Sequence, residues 1–174
     1  MRSSIKSPLP FGSRSAFFVV SVPFLFTLTL FYCSLPPGIT FEDAGIFISA
    51  AATGGYPHPP GYPLYTLILK SVLYVARLFD LSPARSGAFS SALFAALSSS
   101  VLSLFFLNSS QKLKLKTTTS TYLLSIFAGI LSCLSLDIWR QSNIIEVYAL
   151  HVFLFSALLL ALSKSRYFLA FFIS

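Results

Sequence analysis

Apolar residues run along the chain in long blocks, and the polar residues collect between these blocks. A helix that crosses a bilayer needs about 20 predominantly apolar residues. The pattern therefore predicts four membrane-spanning helices. They cover residues 16–35, 88–107, 122–136 (running on to about 139) and 147–162. In the second block every fourth position from 88 to 100 is Ala or Ser, a stripe that allows a neighbouring helix to pack closely.

A further apolar block, 64–81, is ambiguous because it carries Lys70 and Arg77, which lie seven residues apart and so share one helical face. If the basic N-terminus is cytosolic, the positive-inside rule places the lysine loop 112–116 in the cytosol too. This requires an odd number of crossings between residues 42 and 112. We favour a block that lies along the membrane interface with both cations extended toward water. The alternative is that it crosses the membrane and the lysine loop breaks the rule.

Composition supports a membrane protein, because 55% of the 174 residues are hydrophobic, only 10% are charged, and the mean hydropathy is +0.80. Soluble domains carry about 25% charged residues. The predicted fold class is all-α, a polytopic transmembrane helical bundle. Much of the net charge of +7 lies in short clusters beside apolar blocks, which is typical of topology signals and lipid contacts and not of nucleic-acid binding. Cys33 and Cys133, far apart in apolar blocks, predict neither a metal site nor a disulfide framework.

The predicted organisation has five parts. They are a basic cytosolic N-terminus at 1–15, the first transmembrane helix at 16–35, a luminal loop rich in acid and proline at 36–63, membrane helices at 64–163, and the truncated start of a next segment at 164–174. The last apolar run is too short to span, so we expect the front part of a longer protein. A cleaved signal peptide or an organellar transit peptide is the alternative to an uncleaved first span.

Two of the five acidic residues, Glu42 and Asp43, open the polar segment that follows the first span. A carboxylate at the mouth of a membrane cavity can serve as a general base if partial desolvation raises its pKa. Downstream, four prolines between 57 and 63 favour a stiff, extended arm that presents His58 and Tyr62. Pro63 suits the first turn of the next helix. A plain helix connector or a ligand for proline-recognition domains remains the alternative.

A second polar cluster lies between the last two spans. If this stretch is helical, Trp139, Asn143 and Glu146 share a face. Ionisable groups such as Arg140 and Glu146 between apolar runs are candidates for function. The alternative is an ion pair of Arg140 with Glu146 that ties two spans together.

The strings "AAATGGYPHPPGYPLYTLILK", "ARSGAFSSALFAAL" and "WRQSNIIEVYALHVF" occur in the same order as in the DUF2723 family. The chain resembles this family, which includes the transmembrane protein 260 type of protein O-mannosyltransferase, over about residues 41–162. The resemblance implies the N-terminal half of a GT-C-type glycosyltransferase, with its active site in the first luminal loop. Family members are considerably longer, which agrees with a partial chain.

The resemblance also implies a mechanism: transfer of mannose from dolichyl-phosphate mannose to a protein Ser or Thr hydroxyl. Asp43 would act as the base, with His58, Pro59 and Pro60 matching the family's proline motif. The leaving phosphate needs cationic stabilisation, for which Arg140 ranks before His58 and Lys70. No metal or other cofactor is expected, and the expected partners are membrane lipid, a lipid-linked sugar donor and a protein acceptor.

One position departs from the family pattern, since Ile46 stands where an acidic residue is usual. On a helix, Glu42 and Ile46 would share a face, so Glu42 is a candidate replacement. The alternatives are a non-catalytic truncated membrane paralogue and a lipid-binding or transport protein. The expected location is the endoplasmic reticulum membrane, with a plastid or other organelle membrane as the alternative.

Overall fold

A computed structural model describes residues 13–40 and 42–164, and in these residues the secondary structure is entirely helical. The seven helices are α1 Ser13–Cys33, α2 Ala44–Thr53, α3 Pro63–Leu78, α4 Pro83–Lys112, α5 Thr119–Cys133, α6 Leu136–Ser142 and α7 Tyr148–Ser163. The all-α prediction is confirmed.

Helix α4 is the centre of the bundle and packs against α1, α5 and α7. Its Ala and Ser stripe is buried, with Ala92 and Ala96 fully inaccessible. Small side chains let the neighbouring backbones approach: Ser100 Oγ donates a hydrogen bond to the Val20 carbonyl of α1 at 2.8 Å. The small-residue stripe predicted from the sequence thus is the packing surface of the central helix.

Contacts at the helix ends fix the direction of each long helix. Asn108 near the end of α4 donates a hydrogen bond to Ser163 Oγ at the end of α7, at 2.7 Å. Ser34, just after α1, donates a hydrogen bond to Asn143 Oδ1 at 3.3 Å. The loop 113–118 therefore lies at one end of the bundle, and the segments around residues 34 and 143 lie at the other.

Helices α2, α3 and α6 gather at this second end, and we call them the cap. Tyr62, at the start of α3, contacts Phe47 of α2, with ring centroids 5.7 Å apart. Pro63 begins α3 as predicted, and Ser82 caps α4 by accepting a hydrogen bond from the Arg85 N–H. Helix α4 begins at the cap and ends at the loop 113–118, so it runs the length of the bundle. The position of block 64–81 relative to the membrane stays a prediction.

Two helices, Ser15–Cys33 and Pro83–Lys112, are long and apolar enough to cross a membrane. A third span results if Thr119–Cys133 and Leu136–Ser142 count as one, although the pair is bent by 71°. The expected continuation of the 122–136 helix to residue 139 is therefore wrong. The remaining predicted span, α7, has 16 residues, or about 24 Å of helix, less than a full bilayer core. The chain is a helical membrane protein.

Candidate functional site

The predicted base and the proline arm meet in the cap. Asp43 precedes α2 and His58 lies in the loop before α3, yet His58 Nε2 is 2.7 Å from Asp43 Oδ2. The side chains are 41% and 39% exposed, so the pair is open to solvent on one side. Asp43 Oδ1 forms no hydrogen bond within the described residues and is free to accept one.

The environment of His58 favours the imidazolium form. Its pKa is raised above the ordinary 6.5, chiefly because Nδ1–H donates to the Pro59 carbonyl at 2.9 Å and further because of the Asp43 carboxylate. The ring also lies edge-on to Tyr62 and to Phe47, with centroids 5.7 and 6.1 Å away. Phe47 is fully buried and contacts Tyr65 as well. Sequence reasoning missed Phe47, whose only signal was its place in an apolar helix.

Glu146 brings the second polar cluster to the same place. Its Oε1 accepts a hydrogen bond from the Asp43 backbone N–H at 3.3 Å, and the residue is only 5% exposed. Burial raises the pKa of Glu146, and the nearby negative charges of Asp43 and Glu42 raise it further. Hydrogen bonds from the Asp43 and Val147 N–H groups act in the opposite direction. On balance the pKa of this carboxyl lies above its ordinary value, so ionising it costs more here than in water.

Arg140 pairs with Glu42, and this corrects the alternative ion pair of Arg140 with Glu146. Within the described residues Glu146 takes part in no salt bridge, because it is buried behind Asp43. The guanidinium is exposed and donates from Nη2 to Glu42 Oε1. Glu42 lies before α2 with a positive φ of 72°, so it does not share a helical face with Ile46. The geometric basis for replacing the missing acid by Glu42 is therefore wrong.

Trp139 and Asn143 join α6 to the end of α1. The Trp139 ring packs edge-on against Phe31 with centroids 5.6 Å apart, and Asn143 accepts the hydrogen bond from Ser34. Asn143 ends α6 and residues 143–147 are not helical, so the predicted shared helical face of 139, 143 and 146 is wrong. Because the chain leaves the helical path after Ser142, Trp139 and Asn143 contact the end of α1, whereas Glu146 contacts Asp43.

Lys70 stands apart from this site. It lines a cavity between α2 and α3 that includes none of Asp43, His58 or Arg140. Within residues 13–40 and 42–164, no three His, Cys, Asp or Glu side chains are placed to share a metal ion. The site is thus built from two pairs of opposite charge, with the buried Glu146 behind them.

The fold and the site together define a helical membrane protein that holds an acid and an imidazole in contact at one end of its bundle. The sequence matches the family described as "Protein O-mannosyl-transferase TMEM260 N-terminal domain" over residues 43–167, well over half of the chain. The chain belongs to this family. No solved structure matches it.

Proposed function

We propose that this chain carries the acceptor-activating site of a GT-C-type protein O-mannosyltransferase. The proposed reaction moves mannose from dolichyl-phosphate mannose to a Ser or Thr hydroxyl of a protein in the endoplasmic reticulum lumen. The observation that carries the proposal is the contact of Asp43 with His58. It joins the acid after α1 to the proline arm, inside the segment that matches the family.

In the proposed step the acceptor hydroxyl donates its proton to Asp43 Oδ1 as its oxygen attacks the anomeric carbon. The bond from that carbon to the phosphate oxygen breaks, and the dolichyl phosphate leaves from the opposite face with its electron pair. His58 holds Oδ2 at 2.7 Å, so that one carboxylate oxygen is fixed and the other points to the acceptor. A positioned base contributes about 10²–10⁴-fold to a rate.

Arg140 is the cation in this site best placed for the leaving phosphate, because its guanidinium is exposed while only one carboxylate, Glu42, holds it. A guanidinium presents five N–H donors, so it can bind a phosphate and keep its carboxylate partner. Tyr62 and the His58 ring form an aromatic edge beside the acid that can contact the sugar.

The test is sugar transfer in membranes that express the chain, with radiolabelled dolichyl-phosphate mannose and a folded acceptor domain. Transfer is expected from the wild-type chain, and Asp43→Asn should lower it by at least about 100-fold. Transfer no higher than in membranes from cells with empty vector, or full transfer by Asp43→Asn, would overturn the proposal. The first result favours a non-catalytic membrane paralogue.

A further inference from the structure

A cavity of about 710 Å³ opens between α2, α3 and the start of α4, away from the site above. Its lining is mostly apolar, with Ile48 and Ala51 from α2 and Leu73 from α3. Two cations of α3, Lys70 and Arg77, share the same lining. The cavity thus combines an apolar wall with positive charge, a combination that the proposed transfer reaction does not use.

These two cations have no partners in the described part of the chain. Neither Lys70 nor Arg77 forms a salt bridge there, and both residues are exposed. Asp80 also lines the cavity, but it lies beyond ion-pair distance of both. The cavity therefore carries more positive than negative charge and is complementary to an anion.

The position of α3 indicates where the anion comes from. The helix lies in the cap, beside the end of α4 at which its long apolar span begins. Leu67, Tyr74 and Leu78 of α3 are 63%, 66% and 64% exposed. A helix that exposes large apolar residues together with Lys and Arg is typical of one that lies in the membrane interface.

We propose that this cavity binds an anionic phospholipid of the surrounding bilayer. Lys70 and Arg77, seven residues and about 10.5 Å apart along the helix axis, contact the headgroup phosphate and its polar neighbours with their long side chains. The upper acyl chain lies against Ile48, Ala51 and Leu73. The bound lipid anchors α3 at the interface and stays separate from the sugar donor.

The test measures lipid binding to the whole chain, purified in a non-ionic detergent, by native mass spectrometry. Phosphatidylserine and phosphatidylcholine are titrated against the wild type and against the double variant Lys70→Gln/Arg77→Gln. The matched control, Lys114→Gln/Lys116→Gln, removes the same charge from the loop at the other end of the bundle. A third variant, Lys70→Arg/Arg77→Lys, keeps the charge of the cavity.

The wild type should prefer phosphatidylserine. Each basic residue near a membrane surface contributes about fivefold to the affinity for anionic lipid, so the double variant should lose about 30-fold. The matched control and the charge-keeping variant should retain the preference. A photoactivatable phosphatidylserine should label peptides that contain residues 48–52 and 70–83.

Three results would overturn the proposal. The first is a wild type that binds both lipids equally. The second is an equal loss in the matched control, which would indicate unspecific attraction. The third is binding that depends on Lys70 and Arg77 but goes to dolichyl phosphate or soluble glycerophosphate in place of phosphatidylserine. Circular dichroism and gel filtration identify a variant that misfolds. If the double Gln variant misfolds, the test rests on Lys70→Arg/Arg77→Lys, and a loss of the phosphatidylserine preference in this folded, charge-keeping variant would overturn the proposal.

Discussion

The close approach of α5 to α4 can be tested by adding one methyl group. A Cβ on Gly129 would lie 2.0 Å from Ser103 Oγ, 2.6 Å from the Ser99 carbonyl oxygen and 2.8 Å from the Ser103 nitrogen. The Ser103 hydroxyl can rotate away if it gives up its 3.0 Å hydrogen bond to the Ser99 carbonyl. The Ser99 oxygen and the Ser103 nitrogen belong to the α4 backbone and cannot rotate away, so Gly129→Ala must push α5 away from α4.

The expected magnitude follows from three contributions to the free energy of unfolding. Overpacking a tight contact costs about 1–3 kcal/mol. The lost Ser103 hydrogen bond costs about 0.5–1.5 kcal/mol. Alanine in place of glycine in a helix returns about 0.5–1 kcal/mol. The net expectation for Gly129→Ala is a destabilisation of about 0.5–4 kcal/mol.

Gly45→Ala in α2 is the matched control, because no heavy atom lies within 4 Å of a Cβ at that position. It should raise stability by up to about 1 kcal/mol from helix propensity alone. The assay is denaturant unfolding of each purified chain in mixed micelles. A Gly129→Ala chain as stable as the wild type, or more stable, would refute the packing of α5 on α4 described above.

Three further predictions concern the cap and the loop. In NMR titrations with His151→Gln as background, the His58 pKa should lie above 6.5, and Asp43→Asn should lower it. The stability that the raised pKa contributes is lost as pH rises through that pKa. Glu146→Gln should increase the free energy of unfolding relative to wild type at neutral pH. The reason is that ionisation of the buried Glu146 carboxyl destabilises the wild-type fold as pH rises through its raised pKa. In acid, the unfolding curves of the wild type and the variant should converge. A glycosylation tag in the loop 113–118 should stay unmodified in endoplasmic reticulum membranes if the cap is luminal, whereas modification would place the cap in the cytosol.

The helices of this chain could be predicted because apolar block length and small-residue spacing act locally. The stripe from 88 to 100 indicated the packing surface of α4, and Pro63 indicated the first turn of α3. The bend of 71° between α5 and α6 could not be predicted in this way, because an apolar pattern continues through it. A hydropathy pattern indicates which segments are apolar, but it does not indicate where a helix within such a segment ends.

The sequence predicted which residues form the candidate site, but not which of them contact each other. The prediction that Asp43, His58 and Arg140 carry chemistry came from polar groups between apolar blocks and from the family resemblance, and it stays a prediction. The pairing of Glu42 with Arg140 joins residues 98 positions apart and depends on the positive φ of Glu42 and on the bend before α6. Neither feature has a signal in the periodicity of the sequence. The one ion pair that the sequence suggested for Arg140, the alternative pair with Glu146, is therefore wrong.

The role of Asp43 as base is tested most directly by measuring donor binding and sugar transfer separately in one variant. In single-turnover experiments with labelled dolichyl-phosphate mannose, Asp43→Asn should bind the donor as the wild type does and transfer mannose at least about 100-fold more slowly. Asp137→Asn, which changes an exposed acid without an ion pair among the described residues, should alter neither quantity. Transfer at the wild-type rate by Asp43→Asn, or a loss of transfer explained entirely by lost donor binding, would contradict the assignment of Asp43 as the base.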